Sequence, residues 1–125
     1  MHGTGPVVVG YDLLSPLGID LKEQWQKALQ GKSGIGKLSR FAVNPDFPVQ
    51  IAGQLPEIDH LNYPLLAPRH QAMWSSPVFK YGLLAVERAL QRSGIEIDQT
   101  LAPRVAVTFS SAVGGLDSVL HAARQ

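Results

Sequence analysis

Val7-Val8-Val9-Gly10 and Arg104-Val105-Ala106-Val107-Thr108-Phe109-Ser110 are continuous β-branched runs without polar alternation. That is the pattern of strands covered on both faces, as in a parallel sheet between helices. No other feature restricts the fold as strongly, because such strands need a layer above, a layer below and neighbours at both edges. Between the runs, Leu14-Ser15-Pro16-Leu17-Gly18 predicts a turn. Asp20 as N-cap, with Glu23 three residues on, sets a capping box, and Leu21, Trp25, Ala28 and Leu29 recur at helical spacing. Gly31 supplies a left-handed stop, so a helix is expected over 20–30 with its apolar stripe packed on the first strand. Ser76-Pro77 opens a longer helix that ends at Gly94 after Ser93. Its stripe of Phe79, Leu83, Val86 and Leu90 is widened by Tyr81, Ala85 and Ala89. Only a narrow polar strip of Lys80, Glu87, Arg88, Gln91 and Arg92 is left, which predicts cover on more than one side. Gly114-Gly115 opens a last helix with Leu116, Val119, Leu120 and Ala123 on one face. The stretch 32–69 reads mostly as loop, except for the period-two alternation of Val49 to Leu55, which suits a short half-exposed strand. The element order predicts an α/β layer with parallel central strands, flanking helices and right-handed crossovers.

Composition narrows the function classes. At 125 residues and 13.5 kDa the chain is long enough for one core that buries roughly two thirds of its unfolded surface. With 45% hydrophobic and 17% charged residues, disorder is excluded as the main state. Eleven Lys and Arg stand against ten Asp and Glu without gathering into a stripe, which argues against nucleic acid as a partner. There is no cysteine, so disulfides, cysteine-ligated metals and a thiol nucleophile are excluded within these residues. No apolar run reaches the ~20 residues of a membrane span, and Met1 to Gly5 lacks the features of a secretory leader, so a cytoplasmic location is expected. Twelve glycines and nine prolines, concentrated in Gly31–Gly36 and Pro45–Pro68, mark long loops.

Several short patterns invite a chemical reading and fail it. Gly31-Lys32-Ser33 copies the end of a phosphate-binding loop, but position 26 holds Gln26 where a glycine is needed, and a helix precedes the triplet instead of a strand. A helix stop is the better reading. Gly34-Ile35-Gly36 starts a dinucleotide fingerprint whose third glycine would fall at Ser39. His2, His60, His70 and His121 show no metal-site spacing. Asp117 and His121, four apart, suit a helical surface pair, and no activated-serine elbow accompanies them. No catalytic residue, metal ligand or cofactor site is therefore expected. The remaining candidate is Ser110-Ser111-Ala112-Val113-Gly114-Gly115, small residues between a strand end and a helix start, where open α/β sheets bind ligands.

At that point a larger pattern emerges. Val7-Val8-Val9-Gly10, Leu14-Ser15-Pro16-Leu17-Gly18, Gly31-Lys32-Ser33-Gly34-Ile35, Arg40-Phe41, Phe47-Pro48, Ile51-Ala52-Gly53, Ala89-Leu90 with Ser93-Gly94, and Gly114-Gly115-Leu116 together resemble the opening of β-ketoacyl-[acyl-carrier-protein] synthases of the synthase II type. The resemblance implies a partial thiolase-like fold, the N-terminal part of the first of two similar α/β halves, with residues 1–125 as about the first third of the synthase domain. It implies condensation of an acyl thioester with malonyl carrier protein in fatty acid or polyketide synthesis, by a cysteine nucleophile and two histidines that lie beyond position 125 in the family. This chain alone is thus expected to be inactive. Val113, with Ala112 and Gly114 beside it, matches the family position that lines or gates the acyl pocket. Acyl carrier protein is the implied partner, although Arg69-His70-Gln71-Ala72-Met73-Trp74-Ser75-Ser76 keeps one fixed positive charge where the family carries a basic run. Ser110-Ser111-Ala112 also replaces the family's Gly-Ser-Gly. The alternatives are a non-catalytic partner subunit of the chain-length-factor kind and an unrelated α/β binding module. Exposed strands and an apolar helix predict self-association or a homodimer.

Overall fold

A computed structural model of the chain describes residues 5–58, 61, 76–112 and 114–124. The chain divides into two compact units, Asp12–Leu61 on one hand and Met1–Tyr11 with Asn62–Gln125 on the other.

In the unit of residues 12–61, Ser15-Pro16-Leu17-Gly18 closes a tight turn. Ser15 N donates to Gly18 O at 3.1 Å and Gly18 N to Ser15 O at 2.9 Å, with Pro16 supplying the preset φ of the first corner. Helix α1, Leu21–Leu29, follows. The Asp20 side chain accepts from Glu23 N at 2.9 Å, and the Glu23 carboxylate pairs with Lys27 at 2.7 Å one turn on. At the other end Gly31, at φ +67°, gives a full left-handed stop. Gly31 N donates to Ala28 O and Lys32 N to Lys27 O, the paired bonds of a Schellman motif. Strand β1, Ile35–Lys37, then pairs antiparallel with β2, Ile51–Gly53, in the register Ile35↔Gly53, Gly36↔Ala52, Lys37↔Ile51. The alternation around residues 49–55 thus does mark a strand. Its partner was hidden in the Gly34-Ile35-Gly36 stretch expected as loop.

Glutamines close this ribbon. Gln54 Oε1 accepts from Ser39 N and Arg40 N, and its Nε2 donates to Lys37 O. Gln50 Nε2 donates to Phe47 O at 2.6 Å and Asn44 O at 3.1 Å, and Arg40 donates to Leu55 O.

In the second unit, α2 spans Pro77–Ser93, with Ser76 as N-cap, Pro77 in the first turn and Gly94 at φ +67° as the stop. Leu84 and Glu87 are its buried side chains. A 3-10 turn, Ala102–Arg104, follows, started by Asp98, whose Oδ1 accepts from Thr100 N and Leu101 N. Helix α3 spans Leu116–Ala122. Two segments without helix or ladder lean on α2. Gly10 lies where a Cβ would strike the Ala89 carbonyl oxygen and come 2.8 Å from Ser93 Cβ. The Phe109 ring lies over Gly82 and stacks on Phe79 at 6.2 Å between centroids.

Three expectations need correction. The parallel central strands are not formed among the described residues: 7–10 and 105–110 carry no ladder, Arg104 belongs to the 3-10 turn, and the sheet is antiparallel. β-branched runs favour extended backbone, but a strand is completed by its neighbour's hydrogen bonds. The stripe of α1 is not buried, since Trp25 is 63% exposed while the polar Gln24 is 3% exposed. Here a hydrogen-bonded turn, not an apolar sheet, is what the helix leans on. In α2, Glu87 belongs to the buried side at 9% exposure, where Gln91 Nε2 donates to its Oε1 at 3.2 Å.

Candidate functional site

The segment 110–115 is held at the N-terminal end of α2. Phe109 fixes its start through the stack on Phe79, at an interplanar angle of 25°. Beyond it, Gly114 is wedged so that a Cβ would come 2.7 Å from Ser111 Oγ, 2.9 Å from Ser111 Cβ and 3.5 Å from Val78. Only glycine brings the backbone this close to Ser111 without displacing it. Gly115, at φ +81°, then turns the chain into α3, where Val119 N donates to Gly115 O at 3.1 Å.

Of the residues singled out from sequence, Ala112 and Gly114 are both exposed on this turn, and Val113 between them lies outside the described residues. The described residues of the turn offer the Ala112 methyl group, the Ser110 and Ser111 hydroxymethyl groups and glycine backbone. Its chemistry is that of contact and shape, not proton transfer. The side chains of Asp117 and His121, together with His2, His60, His70 and Arg69, also lie outside the described residues. Among those described, no group of three or more His, Cys, Asp or Glu could hold a metal ion. No helix among them is long and apolar enough to cross a membrane.

The Gly31-Lys32-Ser33 triplet holds no phosphate cradle. The Lys32 N–H is spent on Lys27 O, and Ser33 Oγ accepts from Ile35 N at 3.1 Å. The residues that sequence reasoning passed over are polar ones in the first unit. Gln24 Nε2 donates to Leu13 O at 2.8 Å and its Oε1 accepts from Ser15 Oγ at 2.6 Å. Lys27 Nζ donates to Leu17 O at 2.7 Å. Together they bind the turn to α1, and the turn's Pro16 covers Gly34 and Gly53, where a Cβ would meet the proline at 2.7 Å and 2.9 Å. The available signal was the spacing of Gln24 and Lys27, which puts both on one helix face.

Comparison with known proteins supplies what this geometry lacks. Residues 6–125 match the family model described as β-ketoacyl synthase, N-terminal domain. The chain is similar to 3-oxoacyl-[acyl-carrier-protein] synthase 2 of Coxiella burnetii, at 35% identity over 88% of this chain and 26% of the relative. It is also similar to the protein of the same name from Staphylococcus aureus, at 30% identity over 95% of this chain and 28% of the relative. The chain therefore spans about a quarter of the length of these relatives. With the glycine-lined turn before α3 and the match over nearly its whole length, this chain belongs to the β-ketoacyl synthase family, through the N-terminal domain of its thiolase-like α/β fold.

Proposed function

We propose that residues 1–125 serve as the N-terminal portion of a 3-oxoacyl-[acyl-carrier-protein] synthase, which condenses an acyl thioester with malonyl carrier protein in fatty acid synthesis. The observation that carries this reading is the family match over residues 6–125, joined by two relatives that bear that activity in their names. Acyl carrier protein is the partner it implies. A chain without cysteine offers no thiol to receive the acyl group, so these residues contribute shape and binding surface while the nucleophile is supplied elsewhere.

Within that function, Ala112, Val113 and Gly114 line the acyl pocket. The support is the small-residue turn that Gly114 and Phe109 hold against α2, combined with the family position that Val113 matches. One methylene more at residue 113 changes apolar contact by about 1 kcal/mol, enough to move a chain-length preference several-fold.

The test has two parts. The polypeptide carrying these residues is purified from its native source and assayed with acyl and malonyl carrier-protein thioesters, alongside the 125-residue chain alone. The reading expects 3-oxoacyl product from the former and none from the latter. Product from the 125-residue chain overturns it, and a native polypeptide of 13.5 kDa that makes no product favours a non-catalytic partner subunit. If the native polypeptide is active, Val113→Ile in it is expected to alter the distribution of acyl-chain lengths. An unchanged distribution removes Val113 from the pocket.

A further inference from the structure

Gly82 breaks a local rule. It stands in the interior of α2, where glycine is the least favourable residue after proline, and its φ is not among the positive ones that would require glycine. What requires it is the ring of Phe109. A Cβ at position 82 would come 2.6 Å from Cε2 and 3.1 Å from Cζ of that ring. The same ring stacks on Phe79, 6.2 Å between centroids and 25° between planes, a separation typical of favourable aromatic pairs. A local rule broken for the sake of one contact is a sign of function.

The seat does little for burial. Phe109 stays 52% exposed, so what the seat fixes is position. Phe109 directly precedes the turn of residues 110–115. The turn's far end is anchored as well, with Gly114 wedged against Ser111 and beside Val78. Val78 and Phe79 lie one helical turn before Gly82, at i−4 and i−3, so the three form a single patch of α2. Both ends of the turn are thus referred to that patch. Between them, Ser110, Ser111 and Ala112 have none of glycine's freedom to absorb a shift at residue 109.

We propose that Phe79 is a positioning residue for acyl-chain selection: its ring, stacked on Phe109 over Gly82, sets where the turn of residues 110–115 stands and so which chain lengths the pocket accepts. The proposal rests on the reading of that turn as acyl-pocket lining. Phe79 acts through Phe109 and not on the reacting atoms.

The native polypeptide carrying these residues is assayed with acyl thioesters of graded length and malonyl carrier protein, beside Phe79→Leu, Phe109→Leu, the double variant, Phe79→Tyr and Gly82→Ala. Phe79→Leu should change the ratio of kcat/KM between the preferred length and its neighbours by about three- to tenfold, the range an aromatic pair commands. The change should fall on KM for the acyl thioester, with KM for the malonyl thioester unaltered. Phe79→Tyr keeps the ring and should restore the parent profile. Phe109→Leu and the double variant should match Phe79→Leu, because the same stack is lost in each. Gly82→Ala displaces the ring with both aromatics still present, and should shift the profile at a melting temperature close to the parent's. Where Phe79→Leu does not fold, Gly82→Ala decides alone. An active polypeptide whose chain-length profile is unmoved by Phe79→Leu or by Gly82→Ala overturns the positioning role and leaves the proposed function standing. So does a loss that is equal at all lengths and follows the melting temperature, or a Phe79→Tyr that behaves like Phe79→Leu. A parent polypeptide that makes no 3-oxoacyl product overturns the proposed function and this assignment with it.

Discussion

Gln24 is the side chain on which the first unit's turn depends. Gln24→Leu keeps the volume but removes the hydrogen bonds from the buried Gln24 to Leu13 O and Ser15 Oγ, while Ser15 Oγ still accepts from Leu17 N. At about 1 kcal/mol for each bond lost, the change is expected to total about 1–2 kcal/mol, seen as a lower midpoint in urea. Lys27→Met is the contrast. Its side chain is 32% exposed and its ion-pair partner Glu23 is more open still, so water replaces most of what the pair and the bond to Leu17 O supply, and the expected change is under about 1 kcal/mol. A larger effect at Lys27 than at Gln24 would contradict this ranking. Glycines divide in the same way. A methyl at Gly10 meets the Ala89 carbonyl oxygen, which the helix holds rigidly, and relief requires backbone movement worth about 1–3 kcal/mol. A methyl at Gly82 meets only the ring of Phe109, which is half exposed and can swing aside. The loss of the stack with Phe79 is then offset by about 1 kcal/mol of helix propensity. Thermal melts should show Gly10→Ala clearly destabilised and Gly82→Ala close to the parent.

At the scale of elements, both longer helices were legible at their ends. Asp20, Gly31, Ser76-Pro77 and Gly94 stand where α1 and α2 start and stop, because caps are local chemistry between residues a few positions apart. Removing them should therefore act locally. Asp20→Ala is expected to cost about 1 kcal/mol, and Gly31→Ala and Gly94→Ala about 1–2 kcal/mol each for a side chain in the left-handed region. Helical circular dichroism during urea unfolding checks these figures, and Gly36→Ala, with open space around it, serves as the control. What was not legible is which face each helix buries. The stripe of α1 named Trp25 and Leu29, and both are exposed while Gln24 is buried. Periodicity identifies a face but not its neighbour, and here the neighbour is a turn with carbonyls to satisfy.

At the scale of the whole molecule, the candidate site is the feature that only long-range contact explains. The small-residue pattern of 110–115 was readable, but its placement against Val78, Phe79 and Gly82 joins residues some thirty positions apart, and no local rule reports such a contact.

The amino-acid sequence alone determined the limits of the two longer helices, the turn at Ser15 to Gly18 and the family resemblance. All of these rest on short-range sterics, hydrogen bonds between near neighbours, or residue order. Tertiary structure alone decided the rest. It paired β1 with β2, buried Gln24 and Glu87 in place of apolar neighbours, seated Pro16 on Gly34 and Gly53, and left Val7 to Val9 and Val105 to Phe109 without a ladder among the described residues. Each of these outcomes depends on which distant segment supplies the facing surface, and hydrogen bonds and dispersion contacts act only at the few ångströms where two surfaces meet.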